Sequence, residues 1–314
     1  MRKPWLLFIL SFTLALFSLG SAEGKPTGAL PSASDPSLKF RVLSYNIKGL
    51  PSFAAPGFDE DRYGDIGKIL ADRNLSGSGP DIVALQESFT SRTAELRALA
   101  NFSFVAKGPG AATMMGVDSG LYILSRYPII KEESRVFGPE LCASWDCYSN
   151  KGVQLARIKL PGLPMPVDVY NTHMQASRQS DAIRRGQVKI ILEFIKATHA
   201  PGAPIIFAGD FNFRPSAGDL SFADFIKGSS LIHAGKLCLS LKCETAKGYD
   251  LRRLYETSVD HQFISEGAED GFTLIPLRAE RNFLDPVKGR LLSDHLGYEV
   301  QYELRWAAPK ASPL

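Results

Sequence analysis

Long apolar runs alternate with amphipathic segments along most of this chain, a pattern typical of proteins that combine strands with helices. Strands are predicted where apolar residues alternate with polar ones or run almost continuously. They cover residues 39–47, 80–87, 101–106, 119–125, 152–160, 167–172, 203–208, 259–264 and 296–304. Helices are predicted over 59–73, 180–199 and 219–226, because apolar residues recur there at helical spacing.

Several of the predicted strands end in a polar side chain just where a turn begins. Asn46, Glu87, His173 and Asp210 stand at such positions. Helices separate some strands but not all of them, which favours a mixed-sheet α/β sandwich over a purely parallel fold. Such folds place their chemistry at strand ends, so the pattern predicts a functional site there.

Residues 1–22 have the composition of a secretory signal peptide. A short basic start precedes an apolar run of roughly 15 residues between Trp5 and Leu19, and small residues lead out to Ala22. A spanning helix needs about 20 apolar residues, and this run is shorter. We therefore expect cleavage near Ala22 and a secreted or periplasmic protein.

The rest of the chain is expected to contain one catalytic domain. Residues 23–38 are rich in Pro, Ser and Gly and predict a flexible lead-in. No linker, internal repeat or low-complexity tract interrupts the sequence from 39 to 308. The length of this segment and the 45% apolar content of the chain suit a single domain at 39–308.

The charge balance argues weakly against a nucleic-acid substrate. The formal net charge is +3, and loss of Arg2 and Lys3 with the signal peptide would leave 34 basic against 33 acidic side chains. Proteins that grip a nucleic-acid backbone usually carry a clear basic excess. The arginine pairs at 184–185 and 252–253 are more typical of solvated faces.

The four cysteines form two closely spaced pairs, Cys142 with Cys147 and Cys238 with Cys243. An even number of cysteines in an exported chain suggests disulfides, although four cysteines allow three connectivities. A four-thiolate zinc site is the competing interpretation, and export disfavours it. We expect two local disulfides, each of which pins a loop.

Eight polar residues at or near strand ends are candidates for a single site. Four are carboxylates: Glu87, Asp210, Asp260 and Asp294. Four are amide or imidazole side chains: Asn46, His173, Asn212 and His295. Any one alone would suit a cap, a turn or a salt bridge, but together they predict an oxygen-rich site. Such a site suits Mg²⁺ and disfavours zinc.

Six short blocks around these residues resemble, in order, the signature blocks of the endonuclease/exonuclease/phosphatase superfamily. They are LSYNIKGLP, DIVALQES, VYNTHMQA, GDFN, VDH and SDH, and they lie between residues 41 and 304. That superfamily includes deoxyribonuclease I, apurinic endonucleases and inositol polyphosphate phosphatases. The resemblance implies an α/β fold, a four-layer α/β sandwich of two packed mixed β-sheets flanked by helices.

The resemblance also implies a metal site. Glu87 would be the principal Mg²⁺ ligand, with Asn46 beside it. Asp210 would position water or metal, and Asp294 would be a supporting carboxylate near the metal. Mn²⁺ or Co²⁺ would be substitutes for Mg²⁺.

Catalytic roles follow from the same resemblance. His295 would be the general base that takes a proton from the attacking water, and Asp260 would orient its ring and support the imidazolium. His173 and Asn212 would donate to the phosphoryl oxygens. No covalent intermediate is implied.

Three further stretches resemble the neutral sphingomyelinase branch. They are DSGL with SRYPI at 118–129, NKGV at 150–153 and THMQA at 172–176. In that branch Lys151 would be a cation that offsets phosphate or carboxylate charge, with Asp146 as its acidic partner. A Cys142–Cys147 disulfide would hold this loop, and Lys151→Ala is expected to lower activity without unfolding the protein. Gln175 departs from the pattern, which often has His there.

The branch implies a secreted Mg²⁺-dependent sphingomyelin phosphodiesterase that releases phosphocholine, with peripheral contact to a membrane that holds the lipid. Phe53, Phe58 and residues 237–241 are candidates for that contact. A secreted endonuclease or deoxyribonuclease, or a phosphoinositide or other phospholipid phosphoesterase, is the alternative on the same scaffold. A non-catalytic binding module is a further alternative, which the presence of all the site residues disfavours.

Overall fold

A computed structural model describes residues 31–32, 34–50, 57–58, 61–110, 117–246, 249–267 and 271–307. The predicted signal peptide, the first part of the predicted lead-in and Phe53 lie outside the described residues. The predicted domain limits therefore stay predictions.

The strands of the described chain form two six-stranded sheets. In chain order they are β1 (Ser37–Asn46), β2 (Ile82–Gln86), β3 (Phe104–Lys107), β4 (Tyr122–Ser125), β5 (Ile129–Val136), β6 (Gly152–Ile158), β7 (Val167–His173), β8 (Ile205–Asp210), β9 (Ile232–His233), β10 (Asp260–Ile264), β11 (Phe272–Asn282) and β12 (Gly297–Trp306). The first sheet has the order β11-β12-β1-β2-β4-β3, and the second has the order β5-β6-β7-β8-β10-β9. Only β1 with β2 and β7 with β8 pair in parallel, so both sheets are mixed.

Helices flank both sheets. They are α1 (Arg62–Leu75), α2 (Thr93–Leu99), α3 (Asp181–Thr198), α4 (Leu220–Ser229), α5 (Ala234–Leu241) and α6 (Arg252–Glu256). Short 3₁₀ helices lie at Pro139–Leu141, Ser144–Tyr148, Arg178–Ser180 and Pro215–Ala217. Within the described segments, no helix has the length and apolar character needed to cross a bilayer.

The layers follow from strands that are apolar on both faces. On β1, Val42 packs between the two sheets, whereas its neighbour Leu43 faces a second cluster that includes Leu70 of α1. A third cluster lies between the second sheet and α3 and α4, with Phe207 and Ile191 among its members. Two sheets packed between helical layers confirm the predicted four-layer sandwich.

The sequence patterns missed several elements at the edges of the fold. Strand β5 reads IIKEESRV and is largely exposed, because it lies at the edge of its sheet. Strand β11 contains Pro276 next to a register shift, and proline is tolerated there because β11 is also an edge strand. Helices α2, α5 and α6 are short, so their periodicity gives little signal.

Candidate active site

Three neighbouring strands of the second sheet place site residues side by side. His173 of β7 pairs in parallel register with Asp210 of β8, and Asp210 lies opposite Asp260 of β10. Strand β8 runs two residues beyond its predicted end at 208, so Asp210 is its last residue. Gly209 allows the backbones of β7 and β8 to lie close together here, since a Cβ at position 209 would lie 2.4 Å from the Thr172 carbonyl oxygen.

Asn46 joins the two sheets at the site. It ends β1 of the first sheet, and its Nδ2 donates to Glu87 Oε1 at 2.9 Å and to Asp210 Oδ2 at 3.0 Å. Asn46 is buried, as is Asp210. One amide therefore holds a carboxylate from each sheet, which brings together residues 164 positions apart in the chain.

Glu87 is held in a strained backbone conformation. Its φ is 55°, in the left-handed region that non-glycine residues seldom adopt. Gly49 packs against it so tightly that a Cβ would lie 2.1 Å from the Glu87 carbonyl oxygen. Strain of this kind costs on the order of 1–3 kcal/mol and is concentrated at functional sites. Asn212, on the loop after β8, has a similar φ of 54°.

His295 and Asp260 form a hydrogen-bonded pair. His295 Nδ1 lies 3.0 Å from Asp260 Oδ1, and its Nε2 lies 3.8 Å from Asp210 Oδ2. Arg281 of β11 supports the pair, because its Nη1 contacts Asp260 Oδ2 at 3.4 Å and the Leu296 carbonyl oxygen at 3.0 Å. The ring is thus fixed at one nitrogen while the other points into the cluster.

The carboxylates control the charge of this pair. Burial by itself lowers the pKa of His295, but Asp260 and Asp210 outweigh that effect and raise the pKa to about 10. Burial raises the pKa of Asp210 to about 6. For Asp260, burial raises the pKa, and the stronger combined effect of His295 and Arg281 lowers it below its usual value. The environment therefore favours a proton on His295.

His173 lies on the other side of Asp210 and is neutral. Its Nε2 is 3.6 Å from Asp210 Oδ2 and 3.9 Å from Glu87 Oε1. Burial and the nearby Lys151 ammonium lower the pKa of His173 well below its ordinary value. Lys151 Nζ donates to Nε2 at 2.9 Å, so the ring proton is on Nδ1.

Lys151 has an acceptor for each of its three N–H groups. Besides His173, its Nζ contacts the Met174 carbonyl oxygen at 2.9 Å and Asp146 Oδ2 at 3.1 Å. Asp146 also accepts from the Ala176 backbone N–H at 2.7 Å. Lys151 is therefore an organised part of the site, and it would have to give up one of these contacts to bind a phosphoryl oxygen.

Both predicted local disulfides are formed, Cys142–Cys147 and Cys238–Cys243. The first closes the loop that carries Asp146. Gln175 ties the same loop to the end of β7, because its side chain accepts from the Ala143 N–H at 2.9 Å and donates to the Ala143 carbonyl oxygen at 3.3 Å. The residue that departs from the sphingomyelinase pattern thus has a structural role here.

Two candidates stand at the margin of the cluster. Asn212 Nδ2 donates to the Met174 carbonyl oxygen at 3.1 Å, and its backbone N–H donates to Asp210 Oδ1 at 3.1 Å. Asp294 forms an ion pair with Lys48, and its side chain is 46% exposed. A role for Asp294 at a metal stays a prediction.

The donor set fits a hard divalent cation. Glu87 and Asp210 present carboxylate oxygens on either side of Asn46, and oxygen ligands are those that Mg²⁺ prefers. Ligand atoms of Asp210, Asp260 and His295 also lie within 4.8 Å of one another. Asp260 is already paired with His295 and Arg281, so Glu87 and Asp210 are the carboxylates that would hold the ion. Asn46 positions both of them through Nδ2, whereas its Oδ1 accepts from the Lys48 backbone N–H at 3.0 Å, so direct coordination by Asn46 stays a prediction.

Sequence reasoning missed Arg281, Lys48 and the contact that joins Gln86 to Asn171 across the sheets. Gln86 Nε2 donates to Asn171 Oδ1 at 2.8 Å beneath the site. Arg281 lies on the unpredicted edge strand β11, and no local signal marks it. The polar pattern of β2 and β7 could have indicated Gln86 and Asn171, since both are polar residues within apolar strands.

The sequence model of the endonuclease/exonuclease/phosphatase family matches residues 43–295 of this chain. This interval contains every one of the eight strand-end candidates.

Proteins named as sphingomyelinases are similar to this chain. The "Putative neutral sphingomyelinase" of Drosophila melanogaster is 27% identical over 256 residues, which cover 73% of this chain and 53% of that protein. The chain thus spans about half the length of this relative. Sphingomyelinase C from Streptomyces griseocarneus superposes with a TM-score of 0.64 at 19% identity, covering 84% of this chain and 99% of that one.

A beta toxin variant from Staphylococcus aureus, solved with bound magnesium ions, has the same fold. It superposes with a TM-score of 0.62 at 18% identity, covering 84% of this chain and 99% of that one. At these identities the two solved structures establish the shared architecture.

Proposed function

The chain belongs to the endonuclease/exonuclease/phosphatase family, and on that premise we propose that it is a secreted, divalent-metal-dependent phosphodiesterase that hydrolyses sphingomyelin to phosphocholine and ceramide. The observation that carries the proposal is the Asp260–His295 pair, which faces Asp210 from one side of a cluster bounded by Glu87 and His173. This cluster combines a positioned base, His295, with carboxylates that can hold a cation.

His295 takes the proton of the attacking water at Nε2. Asp260 accepts from Nδ1, which fixes the ring and stabilises the imidazolium that forms as the water is deprotonated. The carboxylate of Asp210 lies 3.8 Å from Nε2 and adds a second negative charge that stabilises the imidazolium. Water attacks phosphorus directly, and the lipid oxygen leaves with its electron pair.

Glu87 and Asp210 are the residues that would hold the metal, and Asn46 positions both carboxylates. When bound, the cation supplies positive charge that offsets these carboxylates, favours the neutral form of His295 and stabilises charge on the phosphoryl and leaving oxygens. The close packing of Gly49 against the Glu87 backbone and the contact with Asn46 Nδ2 position the Glu87 carboxylate.

His173, Lys151 and Asn212 line the other side of the reacting phosphate. His173 is the last residue of β7, and Lys151 and Asn212 both donate to the carbonyl oxygen of the next residue, Met174. The lysine brings positive charge to a buried position beside His173, where a phosphoryl oxygen would exchange with one of its present acceptors. Lys151 and Asn212 orient the phosphate relative to His295, and His173 positions Lys151 by accepting from it at Nε2.

Two observations support a lipid over a nucleic acid as the substrate. The relative reported above is named as a neutral sphingomyelinase. The charge balance of the chain without its predicted signal peptide is close to neutral, whereas a nucleic-acid backbone favours a strongly basic surface.

The test is release of phosphocholine from sphingomyelin vesicles in the presence of Mg²⁺, with and without a chelator. Wild-type protein and His295→Ala are compared, and plasmid DNA and a phosphoinositide are offered in parallel. Chelator-sensitive phosphocholine release that His295→Ala abolishes would support the proposal. Nicked DNA or released inorganic phosphate, without phosphocholine, would overturn the assigned substrate.

A further inference from the structure

An exposed aromatic pair lies on the disulfide-closed loop beside the site. Trp145 and Tyr148 are 83% and 62% exposed, and their ring centroids are 5.6 Å apart. Both belong to the 3₁₀ helix Ser144–Tyr148. Trp145 lies within the loop that the Cys142–Cys147 disulfide closes, and Tyr148 follows that loop directly. Side chains of this size are usually buried in a soluble domain, so their joint exposure requires a reason.

The loop is built so that these rings stay outside. The disulfide and the 3₁₀ turn fix its backbone, and Asp146 points inward to Lys151 and to the Ala176 N–H. Because Asp146 lies between the two aromatic residues in sequence, its inward contacts help to set the direction of both rings. The same loop therefore has a catalytic face and an aromatic face.

The outer face of the loop carries little charge. Between Cys142 and Asn150 the only acidic or basic side chain is Asp146, which is turned inward and 22% exposed. The remaining exposed positions are small or aromatic. A surface of this kind has no electrostatic attraction for anionic lipid or for a nucleic-acid backbone, but it suits the headgroup region of a zwitterionic bilayer, where Trp and Tyr are enriched.

A cavity of about 250 Å³ lies between the aromatic face and Lys151. Tyr148, Phe137, Leu141 and Lys151 are among the residues that line it. The lining is mostly apolar by residue type and close to the groups that would hold the phosphate. A bilayer held against Tyr148 would thus lie next to an apolar cavity that also borders Lys151.

We propose that Trp145 and Tyr148 form the surface by which this protein docks on a zwitterionic phosphocholine bilayer. The purpose of the contact rests on the proposed lipid substrate, but the binding itself can be measured without hydrolysis. Leu239 and Leu241 on α5, which lie in the segment 237–241 predicted for membrane contact, are also exposed, but they lie beside the exposed Lys236 and Lys242, which makes that surface less suited to a neutral interface.

The binding experiment uses exported protein carrying His295→Ala, so that the vesicles stay intact. Phosphatidylcholine–sphingomyelin vesicles are pelleted with this protein and with added Trp145→Ser, Tyr148→Ser or both. Removing one interfacial aromatic side chain should weaken vesicle affinity about tenfold, and removing both about a hundredfold. Leu241→Ser, which is 50% exposed next to the other disulfide, is the matched control and should change affinity by less than about twofold.

Tryptophan fluorescence gives an independent readout. Trp306 is 7% exposed and Trp5 lies in the predicted signal peptide, so the response to solvent comes from Trp145. Vesicles should shift the emission to the blue, and Trp145→Phe should remove the shift. Thermal unfolding of each variant verifies that the loop substitutions leave the fold intact.

The inference is overturned if the double variant pellets like its parent, or if binding requires anionic lipid. Its fate is separable from that of the proposed substrate. Aromatic-dependent binding by a wild-type protein that releases no phosphocholine would support the docking surface and sink the sphingomyelinase assignment. Phosphocholine release together with unchanged vesicle binding of the double variant would support the proposed substrate and overturn the docking surface.

Discussion

His295 Nδ1 lies 3.0 Å from Asp260 Oδ1, and this contact directs the other ring nitrogen towards Asp210. The two residues are 35 positions apart and come from the loop before β12 and from the start of β10. Arg281 holds Asp260 from behind. The pair is thus fixed by contacts from three parts of the chain, which is what an oriented general base requires.

Asp260→Asn should lower kcat about 10²- to 10⁴-fold with a small change in KM, because an amide can donate to Nδ1 and stabilise the wrong tautomer. The measurement is steady-state phosphodiester hydrolysis together with thermal unfolding. Asp285→Asn, which changes an exposed carboxylate on the loop after β11, is the control and should retain activity. Near-normal kcat in Asp260→Asn would remove the orienting role.

Glu87→Gln should weaken the binding of Mg²⁺, since it removes one of the two carboxylates joined by Asn46. The readout is the rise in Tm of the wild-type protein on addition of Mg²⁺, which needs no substrate. At a hundred times its Kd a ligand adds about 2.7 kcal/mol of stability. Asp294→Asn should keep most of the rise, because Asp294 is half exposed and paired with Lys48. An equal rise in Glu87→Gln and wild type would contradict the assigned metal position.

Asp146 and Lys151 should act as one unit. Lys151→Met keeps the length of the buried side chain but removes its contacts with His173 and Asp146, so we expect a loss in kcat/KM of at least about tenfold. Asp146→Asn should also lower it, and the double variant should be no worse than the poorer single one, with a coupling of about 1 kcal/mol or more. Additive losses would show that the two side chains contribute separately.

The two disulfides should differ in their effect on activity. Each closes a loop with a sequence separation of 5, so each should stabilise the fold by about 2 kcal/mol in the chain-entropy account. Replacing Cys142 and Cys147 by Ser should also lower activity, because their loop carries Asp146. The same change at Cys238 and Cys243 should cost stability alone. Equal activity of the two double variants at a temperature where both are folded would contradict this distinction.

Asp168 should contribute stability and no catalysis. It is buried at the start of β7, where its carboxylate contacts Arg157 Nε at 2.6 Å and His199 Nδ1 at 3.0 Å. Burial raises its pKa, but His199 and Arg157 outweigh burial and lower the pKa below its usual value. The stabilisation is therefore present above the unfolded pKa, near 4, and is lost as the pH falls through the folded value.

Asp168→Asn should reduce the free energy of unfolding at pH 7 by about 2–4 kcal/mol, because Arg157 keeps a charge without its partner. The acid branch of the stability profile should become shallower in this variant. Urea unfolding between pH 7 and pH 3 provides both measurements. A variant as stable as wild type at pH 7 would rule out the ion pair as a source of stability.

Local signals in the sequence were sufficient for the central strands and for most of the site. Continuous apolar runs predicted β2 and β8 because these strands are buried on both faces, and the polar residues that end them proved to be neighbours. Edge strands such as β5 and β11 gave no comparable signal, since an edge strand is solvated and tolerates charge or proline. That is why Arg281, on β11, could not be found from the pattern.

The sequence by itself determined the fold class, the two disulfide pairs and the set of strand-end side chains from Asn46 to His295. Only the tertiary structure decided how those side chains are used. It placed Asn46 between carboxylates of two sheets, gave every N–H of Lys151 an acceptor, and left Trp145 in solvent while the adjacent Asp146 turned inward. Such relationships depend on contacts between residues remote in the chain, whereas composition and spacing report only what each segment prefers.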